Sequence, residues 1–165
     1  MNNMNGVLFS GKRVLIRVDF NVPLGKNFEI LDDSRIIASL PTIQKVISEG
    51  GRAIILSHLG RPQKGFEKRF SLKHIVKHLT GLLNTPVDFC RDAISSGEAD
   101  VRAMKDGGVL VLENLRFYRE ESSGDEVFAK KLAALGDVYI NDAFGAAHRK
   151  HSSTSVIAKL FPKTK

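Results

Sequence analysis

Five short, nearly uninterrupted apolar runs recur along the chain with a helical pattern between most of them, and that alternation constrains the fold most. The runs are 12–18 (Lys-Arg-Val-Leu-Ile-Arg-Val), 52–57 (Arg-Ala-Ile-Ile-Leu-Ser), 86–89 (Pro-Val-Asp-Phe), 109–112 (Val-Leu-Val-Leu) and 137–140 (Asp-Val-Tyr-Ile). Runs so short and rich in branched residues suit strands buried on both faces. Residues 33–48 start on Asp33 and place Ile36, Ile37, Leu40, Ile43, Val46 and Ile47 at helical spacing, with Pro41 expected to kink or interrupt the helix. Residues 71–83 open on a serine expected to cap a helix whose inner face is Leu72, Ile75, Val76, Leu79 and Leu83. A weaker pattern covers 97–105, and a clear one covers 125–135 with Val127, Phe128, Leu132 and Leu135 expected inward. Gly50-Gly51 and Gly107-Gly108 each stand where a helix should stop before a strand. Strands alternating with helices predict the α/β class: an open, mostly parallel sheet with helices on both faces, a Rossmann-like three-layer domain.

At 165 residues the chain has the length of one ordinary domain. Its 42% hydrophobic and 26% charged fractions exclude a disordered tail. A single cysteine, Cys90, excludes an internal disulfide framework and fits a reducing compartment. No apolar run approaches the ~20 residues of a membrane helix, and the start Met1-Asn2-Asn3-Met4-Asn5 lacks the basic-then-apolar pattern of a signal peptide. A cytoplasmic protein without a membrane partner is expected. The net charge of +7 admits nucleic acid, an anionic surface or a small acidic ligand. The longest basic run is only 148–151 (His-Arg-Lys-His), and the ten phenylalanines stand mostly among apolar residues. That distribution argues against nucleic acid, which favours basic stripes interleaved with aromatics.

In an open α/β sheet, ligands bind beyond the carboxyl ends of the strands. The segments that follow the first, second, fourth and fifth strands are 19–24 (Asp-Phe-Asn-Val-Pro-Leu), 58–62 (His-Leu-Gly-Arg-Pro), 113–117 (Glu-Asn-Leu-Arg-Phe) and 141–149 (Asn-Asp-Ala-Phe-Gly-Ala-Ala-His-Arg). Arg61, Arg116 and Arg149, with His58 and His148, are thereby expected on one edge, joined by Arg35 from the next helix start. Several guanidinium forks in one crevice suit carboxylate or phosphate oxygens. Asp19 and Asn21 bring acceptors for a ligand hydroxyl. Any one of these arginines could instead be merely solvated; their number on one edge favours a small polyanion. The chain contains neither G-x-x-x-x-G-K-[ST] nor a post-strand G-x-G-x-x-G, and its glycine pairs fall at the wrong helix ends to cradle phosphate. No cofactor or metal site is expected on it. His74 and His78 have the spacing of metal ligands, but their setting beside Lys73 and Lys77 favours a solvated face. Cys90, next to Arg91, is either a low-pKa thiol or a structural one, with the structural reading favoured. Glu113 either fixes Arg116 or a neighbouring loop or has a purely structural role, and the structural reading weighs at least as much.

The segments 17–23 (Arg-Val-Asp-Phe-Asn-Val-Pro), 32–36 (Asp-Asp-Ser-Arg-Ile), 57–62 (Ser-His-Leu-Gly-Arg-Pro), 112–117 (Leu-Glu-Asn-Leu-Arg-Phe) and 141–149 closely resemble phosphoglycerate kinases. The resemblance spans nearly the whole chain but only the N-terminal half of that family, and the loop 25–29 (Gly-Lys-Asn-Phe-Glu) departs from the pattern. It implies that residues 1–165 form an acceptor-substrate domain, with the C-terminal nucleotide domain outside this chain. The implied enzyme is a monomeric glycolytic kinase that moves a phosphoryl group reversibly between ATP and the carboxylate of 3-phosphoglycerate, giving 1,3-bisphosphoglycerate. Asp19 and Asn21 would hold the glycerate, while His58, Arg61, Arg116 and Arg149 would bind carboxylate and phosphate oxygens. Arg35 would be catalytic, and His148 would lie at the basic rim. Mg-ATP or Mg-ADP would sit on the C-terminal domain, so the chain alone is expected to show no turnover. The alternative is a free-standing anion-binding or interaction module without catalysis.

Overall fold

A computed structural model describes residues 4, 6–143 and 150–162. Five strands, β1 (Arg13–Arg17), β2 (Arg52–Leu56), β3 (Val87–Cys90), β4 (Val109–Leu112) and β5 (Val138–Asn141), form one sheet in the order β3-β4-β2-β1-β5. Every neighbouring pair is parallel. Val14 stands opposite Ala53 and Val138, and Ala53 opposite Val109. The helices are α1 (Ser34–Ser48), α2 (Lys73–Leu83), α3 (Gly97–Ala103), α4 (Arg119–Ser123) and α5 (Glu126–Ala133).

The two-residue period of the strands builds two cores. On one face Val14, Ile16, Ala53, Ile55, Val109 and Val111 meet Ile36, Ile43 and Val46 of α1 and Ile75 and Leu79 of α2. On the other, Leu15, Ile54, Leu56, Leu110 and Leu112 meet Val101 of α3 and Phe128, Ala129 and Leu132 of α5. Ile157 is fully buried in this second core, and Phe161 stacks on Tyr139 with ring centroids 5.8 Å apart. The expected three-layer α/β domain is the one observed.

Three local expectations are corrected. Helix α1 runs without interruption through Pro41; the proline lies on the exposed side, where water can serve the Ile37 carbonyl that it cannot bond. Ile37 itself is half exposed, and Val127 is 61% exposed instead of inward, because the buried stripe of α5 runs through Phe128, Ala129 and Leu132. Helix α2 begins at Lys73, later than the serine would suggest. Ser71 Oγ does accept from the Lys73 amide at 3.2 Å, but it also donates to Glu113, which is the group that accepts from the Leu72 amide. Elsewhere the signals hold: Asp125 accepts from the Phe128 amide at 2.7 Å to cap α5, and Gly50, at φ +78°, ends the turn after α1 in a conformation that favours glycine.

Candidate functional site

Parallel strands all deliver their carboxyl ends to one edge, and hydrogen bonds sew the loops there into a single surface. Ser57, just past β2, accepts from the Phe20 amide and donates to the Val18 carbonyl, both at 2.9 Å, so the loops after β1 and β2 share one hydroxyl. Asn21 Oδ1 accepts from the Gly60 amide at 2.7 Å. Gly60 has φ +62°, and a Cβ there would stand 2.3 Å from the Phe70 ring, so both backbone and packing demand glycine.

The segment after β4 ties in as tightly. Asn114 is fully buried; its Nδ2 donates to the Leu59 carbonyl at 2.7 Å and the Phe70 carbonyl at 2.9 Å, and its Oδ1 accepts from the Arg116 amide at 3.0 Å. Arg116 Nη1 donates to the Gly60 carbonyl at 2.9 Å. Glu113, also buried, accepts from Ser71 Oγ at 2.6 Å and from the Leu72 and Asn114 amides at 2.8 and 2.7 Å. Glu113 fixes the segment leading into α2 and the turn after β4 through those backbone amides.

The predicted site residues fall into groups. Asp19 and Arg35 pair directly, Asp19 Oδ2 accepting from Arg35 Nη1, with side-chain exposures of 22% and 53%. Asn21 and Arg116 both engage the backbone of Gly60, one at its amide and the other at its carbonyl. Arg61 is exposed, and among the described residues no ion pair holds it to the others. His58 is 6% exposed and contacts Arg17 Nη2 through Nδ1 at 3.2 Å. His148 and Arg149 lie outside the described residues. A groove of about 430 Å³ adjoins this edge, with Asn21, Lys26, Phe28, Gly60, Arg69 and Phe70 among its lining residues.

Ser57, Asn114 and Arg17 escaped sequence reasoning as site-building residues. Ser57 and Asn114 do follow strands, and Arg17 is a charge inside a strand buried on both faces, which was a usable signal. Arg17 is only 1% exposed; its Nε donates to Ser153 Oγ at 2.9 Å and its Nη1 to the Val18 carbonyl. Burial pushes its pKa down while the nearby Glu121 carboxylate opposes that push, and an arginine remains a cation in such a setting.

The other candidates resolve against reactivity. Cys90 is fully buried, and burial, with Asp100 second, pushes its thiol up to about 11. Arg91 therefore does not activate it. His74 and His78 stay partly exposed and make local contacts instead of a metal site: His74 stacks on Phe28 with centroids 4.2 Å apart, and His78 Nε2 lies 2.8 Å from Asp33 Oδ2. Among the described residues no three His, Cys, Asp or Glu side chains cluster as a metal ligand set. Beside the Asp19 carboxylate and the Asn21 amide, the side chains at the carboxyl edge are guanidinium and imidazole groups, which suit the oxygens of anions.

A parallel sheet with helices on both faces, its carboxyl-edge loops joined by hydrogen bonds, defines the class: an open three-layer α/β domain. The model of the phosphoglycerate kinase family matches residues 4–165, and the chain belongs to that family. It is 53% identical over 155 residues to the phosphoglycerate kinase of Chlorobium chlorochromatii, covering 93% of this chain and 39% of that one. It is 49% identical over 157 residues to that of Herpetosiphon aurantiacus, covering 94% and 40%. Among solved structures, the phosphoglycerate kinase of Coxiella burnetii superposes with a TM-score of 0.85 at 39% identity, covering 96% of this chain and 39% of that chain. The Pyrococcus horikoshii enzyme gives 0.87 at 32% identity, covering 98% and 41%. The chain thus spans about two fifths of the length of these relatives. Among the described residues no helix is long and apolar enough to cross a membrane.

Proposed function

We propose that residues 1–165 are the acceptor-substrate domain of a cytoplasmic, monomeric phosphoglycerate kinase and that the carboxyl edge of the sheet binds 3-phosphoglycerate or 1,3-bisphosphoglycerate. The observation that carries the reading is the joining of the loops after β1, β2 and β4 through the backbone amide and carbonyl of Gly60, which brings Asn21 and Arg116 to one place. Asp19 and Asn21 take the glycerate end; His58, Arg61, Arg116 and Arg149 donate to carboxylate and phosphate oxygens, and His148 stands at the rim. Donors fixed before the ligand arrives lose little freedom on binding, which is how positioning contributes to rate.

In the forward reaction a carboxylate oxygen of 3-phosphoglycerate attacks the terminal phosphorus of ATP, and the bond from that phosphorus to the bridging oxygen breaks with ADP leaving. Arg35, at the start of α1, is the catalytic residue, opposing the charge that accumulates on the transferring phosphoryl oxygens. Mg-ATP or Mg-ADP belongs to a C-terminal domain that is not in this chain. The chain by itself then has no kinase turnover, since acceptor and donor must be held in line.

Titration with 3-phosphoglycerate, followed by NMR and calorimetry, tests the reading. Resonances of His58 and of residues 19–24, 58–62 and 113–117 are expected to move together and saturate. Saturating ligand that moves none of them overturns the assignment. Turnover by the chain alone, in an ATP assay coupled to a dehydrogenase, would contradict the absence of a nucleotide site.

A further inference from the structure

A buried chain of hydrogen bonds leads from α4 to the site, and its direction is fixed at every link. Glu121, 1% exposed, accepts from Ser153 Oγ at 2.5 Å and from the Ser153 amide at 2.9 Å. Ser153 Oγ, having given its proton to the carboxylate, accepts from Arg17 Nε at 2.9 Å. Arg17 Nη2 stands 3.2 Å from His58 Nδ1. A guanidinium has five N–H donors and no acceptor. At that last link His58 Nδ1 must therefore present its lone pair, and the only nitrogen left to carry the imidazole proton is Nε2.

We propose that Arg17 is a positioning residue that fixes the tautomer of His58, holding Nδ1 unprotonated so that Nε2–H is the donor offered to an anionic ligand oxygen. The proposal rests on the reading of the carboxyl edge as an anion site only for what the donor is for; the tautomer is a property of the chain without ligand. Geometry supplies the rest. Arg17 comes from the end of β1 and His58 follows β2, in strands paired so that Arg17 stands opposite Leu56. The guanidinium cannot turn away, because Nε is held by Ser153 and Nη1 by the Val18 carbonyl. Ser153 in turn is held by both Glu121 and, through its carbonyl, the Tyr139 hydroxyl at 2.9 Å. Outer partners that set which ring nitrogen carries the proton are a recognised way of fixing a histidine's role.

The test is side-chain nitrogen NMR on the chain labelled at histidine, recorded without ligand at neutral pH. Long-range correlations distinguish the protonated ring nitrogen from the bare one. The expected result is a single tautomer for His58, with Nδ1 bare and Nε2 protonated. R17M is expected to abolish that single-tautomer signature, while R17K, whose ammonium is also a pure donor, retains it. If R17M does not fold, the wild type and R17K carry the test. A protonated Nδ1 in the wild-type chain, or an unchanged pure tautomer in folded R17M, overturns the proposal. Inorganic phosphate added afterwards is expected to shift Nε2 far more than Nδ1. Phosphate that shifts neither, with the tautomer as expected, counts against the anion-site reading while the role of Arg17 stands.

Discussion

Replacing Glu113 separates two roles that a buried carboxylate can play at this edge. It accepts from two buried amides, Leu72 N at the start of α2 and Asn114 N after β4, and from Ser71 Oγ. Alanine removes all three acceptors. The serine hydroxyl can rotate, but the two amides sit on residues with no exposed surface. Each buried unpaired donor costs about 1–3 kcal/mol, and losing a carboxylate at the first turn of α2 adds about 0.3–1 kcal/mol. Water entering the vacated space returns part of this, so E113A is expected to lose about 3 kcal/mol. For a domain of this size, that corresponds to a fall in Tm of about 6–12 °C. Glutamine behaves differently. Both amides point at Oε1, which an amide oxygen can replace, and only the charge and one serine bond change. E113Q is expected to lose about 1 kcal/mol, or about 2–4 °C. Urea and thermal unfolding of the three chains measure both values. Equal losses in E113A and E113Q would mean that charge, not acceptance, is the working property, and a loss in E113A below about 1 kcal/mol would refute the orphaned-amide argument.

Cys90, with its thiol at about 11, is expected to react with iodoacetamide in the native chain at pH 8 on the order of 100-fold more slowly than an exposed thiol of ordinary pKa; a native rate equal to the unfolded one would contradict its burial. Asp92 is held down to about 2 by the Tyr118 hydroxyl at 2.6 Å, with the Ser95 and Ile94 amides helping. Its contribution to stability is therefore complete above the unfolded carboxyl's ordinary value near 3.8 and fades as pH falls from there through about 2. Y118F should shrink that acid-dependent loss, because the folded value then returns toward the unfolded one, and unfolding curves between about pH 2 and 5 that match the wild type would refute the link. In a full-length enzyme that contains this domain, R35A should lose kcat on the order of 100-fold with a smaller change in acceptor affinity, and R61A should show the reverse balance; unchanged kcat in R35A would remove Arg35 from the catalytic role.

The layers were legible because their signals are repetitive. Apolar strands buried on both sides, such as residues 109–112, state their burial in every residue, and the alternation with helices leaves few other architectures. Pro41 does not interrupt its helix, because on the exposed side water can serve the carbonyl that the proline leaves unbonded, and propensity alone does not know which side faces water. Val127 misled because an apolar residue beside a buried stripe reads like part of it. The rule that ligands meet strand ends placed His58, Arg61 and Arg116 at the carboxyl edge, and the parallel sheet has them there. It could not reveal Arg17, Ser57 or Asn114 as builders, because their roles depend on partners brought together only by folding: Arg17 meets Ser153 across 136 positions, and Asn114 meets Leu59 across 55.

The Asp19–Arg35 pair shows what such partners add. Sequence assigned both residues to a ligand, one as acceptor and one as cation; the fold gives them first to each other. The arrangement is not a contradiction, because the pair is cheap. With about half of the arginine side chain exposed, it contributes at most ~1 kcal/mol. It cannot lock the edge shut, yet it holds an otherwise mobile guanidinium over the loop after β1. An incoming phosphate or carboxylate offers Arg35 a two-oxygen partner of equal or greater charge, and a glycerate hydroxyl offers Asp19 a donor to replace it. Exchange therefore leaves neither group unpaired, whereas a ligand bringing only the anion would strand Asp19 beside new negative charge. On the proposed reading, the pair penalises simple anions relative to an anion that carries its own hydroxyl, and discrimination of that kind comes from the partner a wrong ligand fails to supply.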